Sequence, residues 1–211
     1  LFLDELPEFK RSVLEVMRQP LEERKVNIAR ARFSVDYPAS FMLVASMNPC
    51  PCGYYNHPEK ECVCGPGVVQ RYLSKISGPL LDRIDIHIEV TPVGFDELAN
   101  RKRTNEKSND VRARVIKARQ IQEARFSDLT NVYCNAQMPG NQVKDICEIS
   151  PAGSTLLKTA MQRLNLSARA YDRILKVART IADLAESAEI KTEHLAEAIH
   201  YRSLDRENWA G

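Results

Sequence analysis

The chain has 211 residues, 44% of them apolar and 27% charged, with a formal net charge of +2 at neutral pH. That balance suits one or two packed globular domains and excludes a disordered polyelectrolyte. No window approaches the ~18 apolar residues of a membrane-spanning helix, and no basic segment, apolar stretch and small-residue cleavage site combine into a secretory signal, so a cytoplasmic protein without a membrane partner is expected. The charge is uneven, however. Residues 101–125 hold nine Lys and Arg against Glu106, Asp110 and Glu123, a local +6 balanced by −4 elsewhere, which admits a polyanionic partner.

Leu1-Phe2-Leu3 has the apolar continuity of a buried parallel strand, and its position at the very start suggests the carboxyl portion of a longer protein. Asp4-Glu5 follow at the strand's carboxyl end, where open α/β sheets place their ligands. In nucleotide hydrolysis an Asp so placed helps hold Mg²⁺ at the β- and γ-phosphates, and the next acid can polarise an attacking water. Acids also end many apolar strands without any such role. Pro7 suits a helix N-terminus, and Phe9, Val13, Leu14 and Met17 recur at helical spacing up to a stop expected before Pro20. Two-fold alternation over residues 26–35 predicts a hairpin with Arg30 and Arg32 at its tip and Lys25 at its base. Residues 41–45 are expected to form a second buried strand that ends in Ser46-Met47-Asn48-Pro49.

Residues 50–67 are rich in Cys, Pro and Gly. Cys50-Pro51-Cys52-Gly53 and Cys62-Val63-Cys64-Gly65 are two C-x-C turns, and four thiolates converging from them suit a closed, structural Zn²⁺ site. The pairs are tighter than the usual C-x₂₋₄-C. Substitution of one ligand by His57, reduced cysteines in an ordered loop, an iron–sulfur cluster or disulfides are the other readings, the last disfavoured without an export signal. Cys134 and Cys147 stand outside the pattern.

Further along, helix is expected over residues 68–76, a short helical turn from Pro79 to about Arg83, and a strand over 85–90. A polar stretch leads into a basic helix over 110–125, with Val111, Val115 and Ala118 as its apolar stripe. Beyond Pro151 the pattern is helical over 152–164, 167–186 and 192–204, with Ser167 and Thr192 as N-caps. The middle helix carries Tyr171, Ile174, Leu175, Ala178, Ile181, Ala182 and Ala185 on one face. The expected organisation is an α/β part over 1–93, a linker and basic helix over 94–150, and an all-α part over 151–211.

Two runs carry a resemblance. Residues 37–53, YPASFMLVASMNPCPCG, and residues 167–184, SARAYDRILKVARTIADL, are similar to the magnesium chelatase-like ComM (YifB) family of AAA+ ATPases. The similarity extends over nearly the whole chain and is weakest over 94–150. It implies part of an AAA+ P-loop sheet domain followed by a helical lid, with ATP and Mg²⁺ as cofactors and a homo-hexameric ring as the assembly. Residue by residue, Asp4-Glu5 resemble a Walker B motif, Asp4 assisting Mg²⁺ and Glu5 activating water. Asn48 resembles a sensor-1 residue, Arg83 in Leu80-Leu81-Asp82-Arg83-Ile84-Asp85 an arginine finger, and Arg169 a sensor-2 arginine. Without the family context, Asn48 is a turn residue before proline, Arg83 a salt-bridge partner of Asp82 or Asp85, and Arg169 a solvated first-turn arginine.

The hairpin resembles the pre-sensor-1 insertion of the same branch. In a ring such hairpins would line a central pore, where Lys25, Arg30 and Arg32 could contact DNA phosphates. Few aromatic residues accompany these cations, so base stacking is not expected. No G-x-x-x-x-G-K-[ST] loop occurs in the 211 residues, and productive ATP binding is therefore expected of a longer parent rather than of these residues alone. The function implied is a DNA motor promoting branch migration during recombination of incoming DNA. The alternatives are a chelatase-type ATPase subunit that remodels a protein partner, and a zinc-stabilised DNA- or protein-binding module without ATPase activity.

Overall fold

The computed structural model describes residues 1–31, 33–93 and 106–202, and the chain divides into two compact units after Ile84. The first unit runs in the order β1 (Phe2–Leu3), α1 (Arg11–Val16), α2 (Arg18–Glu23), β2 (Lys25–Arg30), β3 (Phe33–Pro38), β4 (Val44–Ala45), α3 (Val68–Leu73) and α4 (Gly78–Leu81). β1 and β4 pair in parallel, Phe2 opposite Val44 and Leu3 opposite Ala45. β2 and β3 form the expected antiparallel hairpin, with Arg30 opposite Phe33 and Lys25 opposite Pro38. A small core of Leu6, Leu14, Ile76, Leu80 and Leu81, backed by Leu3, Met17, Leu21 and Met47, lies under the carboxyl end of the parallel pair.

Two local expectations are corrected here and a third is refined. Phe2 is 65% exposed and Val44 is also exposed, because two strands of two residues offer no second layer to cover them. The first helix, α1, ends at Val16, before Pro20 as expected. A new helix, α2, starts at Arg18, so Pro20 falls in its first turn, where the missing N–H would have had no intrahelical acceptor. Residues 85–90 alternate in sequence but make no strand, since none of the described residues offers them a partner; Ile88 and Val90 are exposed while His87 is buried, its N–H donating to the Tyr201 carbonyl at 2.8 Å.

The second unit is helical: α5 (Ser108–Arg125), α6 (Gly140–Ile146), α7 (Pro151–Arg163), α8 (Ala168–Leu184) and α9 (Thr192–His200). Ile174, Leu175, Ala178 and Ala182 of α8 form its spine, as their spacing predicts, packed against Leu157 of α7 and Leu195 and Ala198 of α9. Phe126, Val132, Met138, Val143 and Cys147 belong to the same cluster. The segment expected to be a linker and basic helix therefore contributes to the core of the second unit from Phe126 onward. Val111 and Val115 are exposed; α5 instead buries Ala118 and Gln122, so only its second half is packed.

Ser167 and Ser150 act as N-caps, accepting from the backbone N–H groups of Ala170 and Gly153 at 3.1 Å each. Thr192 does not cap α9. It is the first helical residue, and His194 Nδ1 takes the Lys191 backbone N–H at 3.2 Å. The expected end of this helix at Leu204 lies outside the described residues.

The feature of α8 that periodicity did not announce is polar. Asp183, buried, accepts both guanidinium nitrogens of Arg125 at 2.8 and 2.6 Å, Arg179 Nε at 3.0 Å and the Asn135 amide at 2.8 Å. Arg179 also donates to the carbonyls of Ala188 and Ser187 at 2.8 and 2.6 Å. Burial alone would raise the Asp183 pKa, but the Arg125 and Asn135 hydrogen bonds and the two guanidinium charges hold it below the ordinary value. Asp183→Ala leaves buried Arg179 and half-buried Arg125 without their carboxylate and should destabilise the second unit by about 3–5 kcal/mol in a denaturant titration. Because its folded pKa is lowered, Asp183 contributes stability that is complete above the ordinary value of about 3.9 and is lost as pH falls through the folded value. Acid titration of the Asp183→Ala variant should accordingly show a smaller loss of stability below pH ~4 than the parent chain.

Candidate active site and cysteine cluster

The carboxyl ends of β1 and β4 are sewn together beyond the strands themselves. The Ser46 backbone N–H donates to the Leu3 carbonyl at 3.0 Å, and the Leu6 N–H donates back to the Ser46 carbonyl at 2.9 Å. This brings Asp4 against Ser46, whose hydroxyl donates to Asp4 Oδ1. Asn48 follows two residues later at the same end of the pair, and Asp4, Glu5 and Asn48 are all exposed. Residues from two separate stretches thus share one polar edge, with two carboxylates and one amide side chain available to a ligand.

Glu5 is the strained member. Its φ of 51° and ψ of 52° put a non-glycine residue in the left-handed region, where it precedes the single 3₁₀ turn Leu6–Glu8. The conformation turns the chain sharply off the strand, so that adjacent residues Asp4 and Glu5 can diverge instead of alternating across a sheet.

Two residues at this edge escaped the sequence reading. In sequence, Ser46 is only one residue of a polar strand end. Tyr72 of α3, buried, has its hydroxyl close to the Asn48 backbone amide. Burial and the Glu8 and Glu5 carboxylates nearby raise the pKa of this hydroxyl and keep it protonated, although the Asn48 amide opposes them. An isolated tyrosine in a helix of ordinary periodicity carries no signal for such a contact.

Arg83 is not presented at a surface. It is 7% exposed, donates to the Pro79 carbonyl at 2.6 Å, and forms an ion pair with Glu22 of α2. The acid that meets it is neither Asp82 nor Asp85; Asp85 pairs instead with Arg173 within the second unit. Arg169 is exposed at the second position of α8.

On the hairpin, Arg30 is exposed near the tip, and Arg32 lies outside the described residues. Lys25 at the base is tied to Asp36 at 2.8 Å, and this hydrogen bond raises the lysine pKa and lowers that of the acid. In the basic helix, Arg114 and Lys117 pair with Glu106 and Glu186, and Arg125 is committed to Asp183. Three of the six described cations of the run are therefore paired with carboxylates.

The cysteine turns converge as their spacing predicts. The sulfur of Cys50 lies 3.3 Å from that of Cys52 and 3.7 Å from that of Cys62, Cys52 and Cys62 are 3.6 Å apart, and with Cys64 all four lie within 4.8 Å of one another. A tetrahedral ion with metal–sulfur bonds of about 2.3 Å needs sulfurs about 3.8 Å apart, so the donor set fits a single thiophilic cation. Gly53, at φ 82°, allows the tight first turn, in which its N–H meets the Cys50 carbonyl at 3.0 Å.

Backbone amides face the sulfurs. The Tyr55 N–H donates to Cys50 Sγ at 3.3 Å. The Tyr54 amide is the main influence that lowers the Cys52 thiol to about 6, despite the cost of desolvation. The Cys52 amide acts in the same sense on Cys64, but desolvation and the neighbouring sulfurs push that thiol up to about 12. His57 is not one of the four; its Nδ1 accepts the Glu59 and Lys60 N–H groups at 3.1 Å each. Of the remaining cysteines, Cys147 is buried in the helical core, where desolvation raises its thiol to about 11, and Cys134 is half-buried. No helix among the described residues is long and apolar enough to cross a membrane.

The left-handed conformation of Glu5 has a measurable cost. Glu5→Gly removes the steric penalty and should stabilise the first unit by up to about 1 kcal/mol in a denaturant titration, even though it removes one of the two carboxylates. A loss of stability would show that the Glu5 side chain contributes contacts outweighing that strain.

Residues 1–98 match the family model described as magnesium chelatase, subunit ChlI, and residues 105–202 match that described as magnesium chelatase, subunit ChlI C-terminal. Among curated proteins, the competence protein ComM of Haemophilus influenzae is 44% identical over 206 residues, and the uncharacterized protein YifB of Escherichia coli is 40% identical over 208. The uncharacterized protein Rv2897c of Mycobacterium tuberculosis is 36% identical over 202 residues. Each match takes in at least 96% of this chain but only 39% of the relative's own length. Both family models match in order and these relatives align along almost the entire chain, and on that ground the chain belongs to the magnesium chelatase-like AAA+ family of ComM and YifB.

Proposed function

We propose that this chain forms part of a cytoplasmic, ring-forming AAA+ ATPase, hexameric in the assembled state, that couples ATP hydrolysis to the remodelling of DNA. The observation that carries the ATPase reading is the shared polar edge, where Asp4 and Glu5 of one strand end lie beside Ser46–Asn48 of its parallel neighbour. The competence-protein name of the H. influenzae relative supports incoming DNA as the client, and exposed Arg30 near the hairpin tip supports contact with phosphates.

In this reading Asp4 would help hold Mg²⁺, which would supply positive charge to the nucleotide's phosphates. Glu5 accepts a proton from water as the water oxygen bonds to the γ-phosphorus and the bond to the β,γ-bridging oxygen breaks, while the Asn48 amide orients that water. Arg83 serves the neighbouring subunit's nucleotide only after exchanging Glu22 for phosphate, and Arg169 approaches the nucleotide from the helical part. The hairpin, with Lys25, Arg30 and Arg32, transmits the cycle to DNA within the ring.

A second reading keeps the ATPase and changes the client. The magnesium chelatase descriptions of both family models favour a protein partner remodelled during metal insertion.

ATP hydrolysis by the whole protein, with and without single-stranded and branched DNA, separates the two. The DNA-motor reading expects stimulation by DNA, a loss of turnover of about 10²–10⁴ for Glu5→Gln and about 10³–10⁵ for Arg83→Ala. For Arg30→Ala it expects weaker stimulation, with a salt dependence shallower by about one unit of slope. Turnover indifferent to DNA transfers the assignment to a protein client. Absence of turnover in the unaltered protein leaves the cysteine-bearing unit as a binding module.

A further inference from the structure

We infer that Cys50, Cys52, Cys62 and Cys64 bind one zinc ion, and that this ion is the anchor holding the Asn48 segment in place at the carboxyl end of β4. The metal assignment stands without the ATPase reading, whereas the consequence for Asn48 as a sensor rests on it.

Four sulfurs within 4.8 Å of one another can surround one ion but are too close to serve a multi-iron cluster, whose cysteines bind different irons on opposite sides of the inorganic core. A closed set of four thiolates selects a soft tetrahedral ion over Mg²⁺ or Ca²⁺ and leaves no position for a catalytic water. The amide of Tyr55 donates to the Cys50 sulfur, and such donation to ligating sulfur offsets the charge of a tetrathiolate and fixes ligand orientation.

Anchoring follows from where the ligands sit. Cys50 is fully buried and lies two residues after Asn48, with the stiff Pro49 between them. On the amino side, Ser46 is held by the β1 pairing, so Asn48 is suspended between two fixed points, one a backbone ladder and the other a ligand. The second ligand turn leads into the helix that starts at Val68, whose Tyr72 hydroxyl lies close to the Asn48 backbone amide. A single ion would thus fix both the chain leaving Asn48 and the start of the helix that contacts it. Residues 51–66 have no helix or strand of their own to do so. Binding free energy at such a centre is used to order the loop that supplies the ligands.

The test uses the reduced, metal-stripped chain titrated with Co²⁺ and then Zn²⁺. One Co²⁺ per chain is expected, with the intense visible bands of tetrahedral thiolate coordination, displaced by Zn²⁺. The spectrum should be lost in Cys50→Ser, altered but retained in Cys62→His, and unchanged in Cys134→Ser. Absence of the tetrahedral bands, or their persistence in Cys50→Ser, overturns the metal site, and iron in place of zinc in the protein as isolated overturns the choice of ion. Hydrogen exchange then reads the anchoring: peptides covering residues 46–50 and 68–73 should exchange about tenfold more slowly with Zn²⁺ than without it, while those covering 151–202 stay the same. Zinc binding without slower exchange at 46–50 overturns the anchor and leaves the metal site intact. In the whole protein, zinc-loaded material that shows the exchange effect but no ATP turnover sinks the ATPase reading alone.

Discussion

The parallel pairing of Phe2 with Val44 and Leu3 with Ala45 decides where every residue of the candidate active site can be. Strand direction fixes which ends coincide, and a parallel pair puts two carboxyl ends side by side, so side chains that lie more than forty positions apart in sequence meet at one edge. The Ser46 hydroxyl on Asp4 and the reciprocal backbone bonds through Leu3, Ser46 and Leu6 extend the pairing just far enough to set the acids and Asn48 as a group. Were the pair antiparallel, Asp4 would face the start of β4 and Asn48 the opposite end. The left-handed backbone of Glu5 is the local cost of ending a strand so abruptly, and the small cluster of Leu6, Leu14, Leu80 and Leu81 beneath holds the turn in place.

The two units are stabilised by different means. The helical unit is built on an amphipathic α8 whose apolar stripe is interrupted by a buried carboxylate, and Asp183 draws Arg125, Arg179 and Asn135 around itself. Every nitrogen of Arg179 has an acceptor, so the charges are paired and hydrogen-bonded as burial requires. The first unit has few buried apolar residues and long stretches without regular structure, and its order rests on specific links: a strand pair of two residues, the Arg83–Glu22 ion pair, and the four converging cysteines. A segment with a small core gains most from cross-links that remove alternative loop conformations.

Part of the apparent basicity of the sequence is taken up by internal partners. The run from 101 to 125 reads as +6, yet Arg114, Lys117 and Arg125 each meet a carboxylate, and Lys25 of the hairpin does too. The exposed Arg30, on a hairpin with solvent on both faces, keeps the stronger claim to a polyanion. Exposure and pairing, rather than the count of cations, decide what charge is available to a ligand.

The sequence by itself determined what depends on neighbours along the chain. It placed the hairpin, the N-caps at Ser167 and the stripe of Ile174, Leu175, Ala178 and Ala182, because turns, caps and helical faces are local, and it marked the cysteine turns, because two short Gly-terminated pairs can close on little else. It also carried the family signature in residues 37–53 and 167–184. What the tertiary structure alone decided depends on chains that meet from afar. Glu22 as the partner of Arg83, Tyr72 under Asn48, Gln122 and Asp183 inside the helical unit, and Ser46 on Asp4 are contacts across tens of residues, and no periodicity encodes them. The alternation of 85–90 misled for the same reason: a strand is defined by the hydrogen bonds of a second strand, and a one-dimensional pattern cannot supply one.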